Sequence, residues 1–345
     1  MRKLFVSRSA TLILFVLAAT VNLHGQSGQQ PLSLVDTIPM PNVKGRLDHL
    51  YVDVGNKRLF VAGLENGSVE VVDLKAAKWS RTIPGFQKPQ GILFVPRLDK
   101  IFVASGDDGM VRVFSGKAFR LQDSIKLDRG ANRITYDPVK RLLYVGYGGK
   151  DAGQDYGEVA IISAATDKVV ATVQVDAHPA ELLLGDSGEK LFAFIPLRNE
   201  VQVIDTPSRK IIATWPVSSK SPGDAALDES SQRLLIGTHT PPSVIVMDAR
   251  TGREVTSLPT VEGMDGVYFD ATRKRGYVSG GRGFDLGSVF VYQQTGSDQY
   301  TSIGEVPTKA GAGTSFWSPE LNRYYVAAPA HNGEQASILV FQPQP

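Results

Sequence analysis

The chain has 345 residues, 37 Lys and Arg against 35 Asp and Glu, 42% hydrophobic residues and no cysteine. The lack of cysteine excludes disulfide staples, thiolate metal ligands and a thiol nucleophile. The near balance of charge argues against nucleic acid as a partner, because such surfaces carry a basic footprint.

The first residues differ from the rest. Arg2, Lys3 and Arg8 precede an apolar run over residues 10–21, and the first acid is Asp36. A basic start followed by an apolar stretch too short for a comfortable membrane span reads as a secretory signal peptide over residues 1–25. Removing those three bases leaves 34 against 35 acids, so the mature chain sits near −1. An exported protein is expected, periplasmic or secreted, with no membrane span once the signal is gone.

Residues 26–345 read as a single domain. A polar spacer, 26–30, leads into a lone strand at 33–38, and seven similar units follow. The fullest unit, 178–217, has apolar runs at 182–184, 191–194, 201–204 and 211–215. Turn chemistry separates them, such as Gly185-Asp186-Ser187-Gly188 and Asp205-Thr206-Pro207-Ser208. Short apolar runs bounded by such clusters are strands. Four antiparallel strands in about forty residues make one blade of a β-propeller.

Second strands centre on Val61, Val103, Val145, Ala193, Ile236, Val278 and Val326, at intervals of 42, 42, 48, 43, 42 and 48 residues. The seventh unit stops after its third strand, at Phe341, and the lone strand 33–38 supplies the missing fourth. The predicted fold is all-β: a seven-bladed β-propeller of four-stranded antiparallel blades. The N-terminal strand closes the ring in the last blade and covers an edge that would otherwise be bare. A monomer is expected.

The recurring second strand, as at 58–62, 100–104, 142–146 and 323–327, runs Arg/Lys/Leu, then Leu, Ile or Tyr, then Phe/Tyr-Val-Ala/Gly. Third strands of the form V-x-V end on Asp73, Asp205 and Asp248. In these features the chain resembles the YVTN-repeat seven-bladed β-propellers, the YncE-like exported propellers, over residues 31–345. The resemblance implies fold. Its motif residues build core and turns, and propellers of this kind bind or process very different ligands.

In every unit thirteen residues separate the upper end of the first strand from the second-strand centre, as in 48 to 61 and 313 to 326. Extra length falls between second and third strands, at 147–157, 280–287 and 329–335 in units 3, 6 and 7. Long loops on a rigid scaffold are where binding concentrates. The predicted function is therefore binding or interaction through the upper face, with a small molecule, a peptide or a protein as ligand.

The same count names the channel mouth. Asp48, His49, Gln90, Asn132, Arg133, Glu181, Asp224 and Asp265 stand at first-strand ends, with His239 and His331 in upper loops. Asp48, Glu181, Asp224 and Asp265 are candidate oxygen ligands for Ca²⁺ or another divalent cation. His49 and Glu181 are candidate base and partner for a lyase or hydrolase, the alternative function. Tyr147, Tyr156, Phe284 and Trp317 are candidate base-stacking groups, with Trp317 better placed for core. Residues 146–150 look like a phosphate loop without the helix such a loop needs.

Overall fold

The computed structural model describes residues Gln30–Pro345; the segment read as a signal peptide lies outside the described residues. Seven four-stranded sheets follow one another along the chain. In six, consecutive strands pair in order, as in blade 1 with Leu50–Asp53, Arg58–Gly63, Ser68–Asp73 and Lys78–Pro84. The seventh joins Ser315–Ser318, Arg323–Ala328 and Ser337–Pro343 to the N-terminal strand Leu32–Pro39. That strand runs antiparallel to Ser337–Pro343, with Leu32 opposite Pro343 and Ile38 opposite Ile338. The chain is a seven-bladed β-propeller closed by its N-terminal strand, as the sequence predicts. Helical structure among the described residues amounts to three short 3₁₀ turns, Pro96–Leu98, Gly149–Ala152 and Asp186–Gly188.

The core lies between blades. One apolar cluster fills each of the seven inter-blade spaces. Alternate side chains of a strand point to opposite faces, so each blade feeds two clusters. Leu59 and Val61 pack toward blade 7, and Phe60 and Ala62 toward blade 2. Burial on both faces explains why second strands read as unbroken apolar runs. Inner strands of neighbouring blades touch all the way round, blade 7 on blade 1 included.

Register is the same in every blade. Leu50 faces Val61, Ile92 faces Val103, Ile134 faces Val145 and Leu182 faces Ala193. Ala225 faces Ile236, Val267 faces Val278 and Ser315 faces Val326. The lower turns impose this. Asp53, Asp137, Asp228 and Asp270 end inner strands, and each accepts a turn N–H, from Asn56 (3.1 Å), Val139 (2.8 Å), Ser230 (3.0 Å) and Thr272 (3.0 Å). The last turn residue is left-handed without being glycine at Lys57, Asp99, Arg141, Gln232, Lys274 and Asn322, with φ of 49–57°. Left-handed backbone costs such residues about 1–2 kcal/mol, which the ladders on either side offset.

Candidate functional site in the central channel

A constant register stacks the inner-strand side chains in rings. Positions 49, 91, 133, 181, 224, 266 and 314 share one height, reading His-Gly-Arg-Glu-Asp-Gly-Thr. Two residues further down, positions 51, 93, 135, 183, 226, 268 and 316 read Tyr-Leu-Thr-Leu-Ala-Tyr-Phe. A polar ring stands over an apolar one.

Arg133 is the hub of the polar ring. Its Nη2 donates to Glu181 and to Asp224, and its Nη1 lies 3.0 Å from Nδ1 of His49. Burial by itself would lower the Arg133 pKa; the two carboxylates raise it further than burial lowers it, so the guanidinium stays charged. Burial pushes Glu181 up to about 7, with Arg133 opposing and Asp224 reinforcing the shift. Burial, then Arg133, brings His49 down to about 3. His49 is thus neutral near pH 7. A guanidinium can only donate, so Nδ1 of His49 accepts and the ring proton sits on Nε2. That Nε2 is 3.6 Å from Asp48.

A second ion cluster closes the mouth above. Arg46 Nη2 lies 3.3 Å from Asp48 and 3.4 Å from Asp265, and Arg282 Nη1 lies 3.1 Å from Asp265. Thr314 Oγ1 donates to Asp265 at 3.2 Å. Asp48 and Asp265 are both raised by burial, against the pull of these arginines. The acids are deep and the bases shallow: Asp48 is 2% exposed, while Arg46 and Arg282 are 33% and 38% exposed.

The polar ring divides the channel in two. Above it lies a vestibule of about 280 Å³, lined by Arg46, Asp48, His49, Gln90, Asn132, Asp224, His239, Asp265 and Arg282, among others. Below it lies a cavity of about 590 Å³, roofed by His49, Arg133 and Glu181 and reaching Pro138 in the lower turn of blade 3.

The structure brings nine of the ten predicted mouth residues to these two spaces and leaves His331 out. His331 stands in the blade 7 loop, 3.8 Å from Asp285. His178 also falls outside, in a side pocket of about 340 Å³ with Lys150 and Arg198. His49 and Glu181 do not pair with each other, because Arg133 bridges them. The four carboxylates are not one cluster either. They form two pairs, each engaged by arginine, and no group of three or more His, Asp or Glu suited to hold a metal ion occurs among the described residues. Tyr147 and Trp317 are core residues, each 7% exposed.

The sequence reading missed Arg46 and the whole apolar ring. Counting two residues past each ring position would have found Tyr51, Tyr268 and Phe316. Arg46 carried no signal, since it lies before the repeated strand and acts through its reach.

No protein-family profile matches the chain, and no curated protein does. Among solved structures, hydrazine synthase of Kuenenia stuttgartiensis is similar in fold, with a TM-score of 0.73 at 17% identity over 86% of this chain and 97% of that one. A chain of the mitotic checkpoint complex is similar in the same way, with a TM-score of 0.73 at 13% identity over 98% of this chain and 99% of that one. At such identity the likeness establishes the propeller architecture alone.

Proposed function

We propose that this is an exported propeller of the YVTN-repeat type that binds a small polar ligand, or the charged tip of a peptide or protein, at the upper mouth of its channel. One observation carries the reading. Arg46 and Arg282 are the shallow members of an otherwise buried ion network, and they sit at 3.1–3.4 Å from their carboxylates. Part-exposed side chains with contacts that long turn toward a ligand at little cost, while Asp48 and Asp265 remain to take its donors. Convergent polar groups in a concave site are the ordinary signature of a binding pocket.

The test is a thermal-shift screen of amino acids, dicarboxylates and short peptides. A hit should raise the melting temperature and lose its effect in Arg46→Ala/Arg282→Ala. A hit that survives the double substitution, or no hit from any of these classes, counts against the upper mouth. Export predicts a mature N-terminus between about residues 20 and 30 by mass spectrometry, and intact Met1 in an exported fraction would exclude it.

A second reading rests on Glu181, whose pKa of about 7 lies where a general acid works best. It makes Glu181 the acid of a lyase or hydrolase and gives His49 a positioning role, because its basic nitrogen is taken by Arg133. Turnover of any ligand found in the screen, abolished by Glu181→Gln with binding retained, would select this reading over simple binding.

A further inference from the structure

The lower cavity takes no part in ligand binding at the upper mouth, although it shares Glu181 and His49 with the lyase or hydrolase reading, and its chemistry is different. Its volume of about 590 Å³ is well within the range of small-molecule sites and about double that of the vestibule. On blades 6, 7 and 1 its wall is aromatic. Tyr268 and Phe316 have ring centroids 5.9 Å apart, and Phe316 and Tyr51 5.7 Å, tilted at 57° and 59°. Leu93 of blade 2 and Leu183 of blade 4 add to the apolar lining. The Tyr268 hydroxyl donates its proton to the Ser315 carbonyl at 2.8 Å, which leaves that wall without this donor. The charged groups of the cavity are in its roof.

The charge of the roof selects the head of a ligand. Three arginines in the channel, Arg46, Arg133 and Arg282, face four carboxylates, Asp48, Asp265, Glu181 and Asp224. Arg46 and Arg282 are engaged with Asp48 and Asp265, so the surplus carboxylate belongs to the pair that shares Arg133. Of that pair only Glu181 borders the lower cavity, beside Arg133, whose guanidinium is already engaged by both acids; Asp224 faces the vestibule. An anion below would meet a carboxylate whose counter-charge is already divided. A cation below would hold Glu181 in its ionised form and so complete a balanced set of two positive and two negative groups, which is what buried charges require.

We propose that the lower half of the channel is a second binding site, which takes a small organic monocation with an apolar body. The ammonium group sits beneath Glu181, and the body lies against the Tyr268–Phe316–Tyr51 wall. The site is a separate space from the upper mouth, because the polar ring divides them.

Isothermal titration of the exported chain with three probes of similar shape tests this: 2-phenylethylammonium, neutral 2-phenylethanol and anionic 3-phenylpropionate. The ammonium probe should bind at least tenfold tighter than the anion, and Glu181→Gln should remove most of that preference. Thr135→Phe fills the cavity at the ring position where blade 7 already carries Phe316, and it should abolish binding while the circular dichroism spectrum is kept. Leu183→Trp serves the same purpose should Thr135→Phe fail to fold. Tighter binding of the anion, ammonium binding that survives both cavity-filling substitutions, or no saturable binding of any probe at millimolar concentration would each overturn the proposal.

Discussion

The two rings of the channel stand two residues apart on the same seven strands, yet one is built of ions and the other of apolar groups. His49, Arg133, Glu181 and Asp224 are held by charge and hydrogen bonds across the axis. Tyr51, Tyr268 and Phe316 are held by ring contact along the wall. The backbone beneath them is identical in register. Stability resides in the inter-blade clusters, where Leu50 and Val52 of the same inner strand go. Alternation sends the neighbouring positions to the channel; the polar ring there stands clear of the clusters, while the lower ring also packs on them through Leu93, Ala226, Tyr51, Tyr268 and Phe316.

Removing the scaffold should break both rings at once, with the largest effect. Deletion of residues 31–41 strips Leu32, Ile38 and Met40 from the core and bares the edge at Ser337–Pro343. Urea unfolding should report a loss of several kcal/mol. A variant as stable as the parent would mean the two channel halves do not depend on closure.

Breaking only the polar ring should come next. Arg133→Met leaves the buried Glu181 and the part-buried Asp224 without a cation. The expected cost is about 3–5 kcal/mol, because the carboxylates then lose their only shared counter-charge. Adding Glu181→Gln and Asp224→Asn should recover most of it. If the triple variant is no better than the single one, the guanidinium matters for packing rather than for charge.

Titration separates the members of the ring more finely. Glu181 is raised to about 7, from an ordinary 4.5, so its protonated form is the one the fold favours. Its stabilising share is complete below about pH 4.5 and is lost as pH rises through about 7. Relative to Glu181→Gln, the parent should therefore weaken over that window, by about 3 kcal/mol at most. His49 runs the other way. Its pKa is depressed to about 3, from 6.5, so its share is complete above about pH 6.5 and fades as pH falls toward 3. His49→Asn should flatten the acid limb. Parallel stability curves for parent and variants across pH 3–8 would show that neither group is as buried as described.

The smallest effect belongs to the shallow rim. Arg282→Ala should change stability by less than about 1 kcal/mol, since its guanidinium is part-exposed and its ion pair is screened. A loss as large as that of Arg133→Met would place Arg282 in the structural network and remove it as a ligand-seeking group.

The sequence by itself determined the ring: seven units, the closing strand, and a thirteen-residue count that names every residue at each height. These are local matters of strand period and turn chemistry, repeated often enough to be read without a structure. The partners were decided only by tertiary structure. Arg133 meets residues 84, 48 and 91 positions away, and Arg46 reaches Asp265 across 219. Such pairings depend on how far each side chain extends across a closed channel, which no local pattern records. For the same reason four acids that look like one metal cluster in sequence became two arginine-locked pairs, and His49 and Glu181 became neighbours of Arg133 instead of each other.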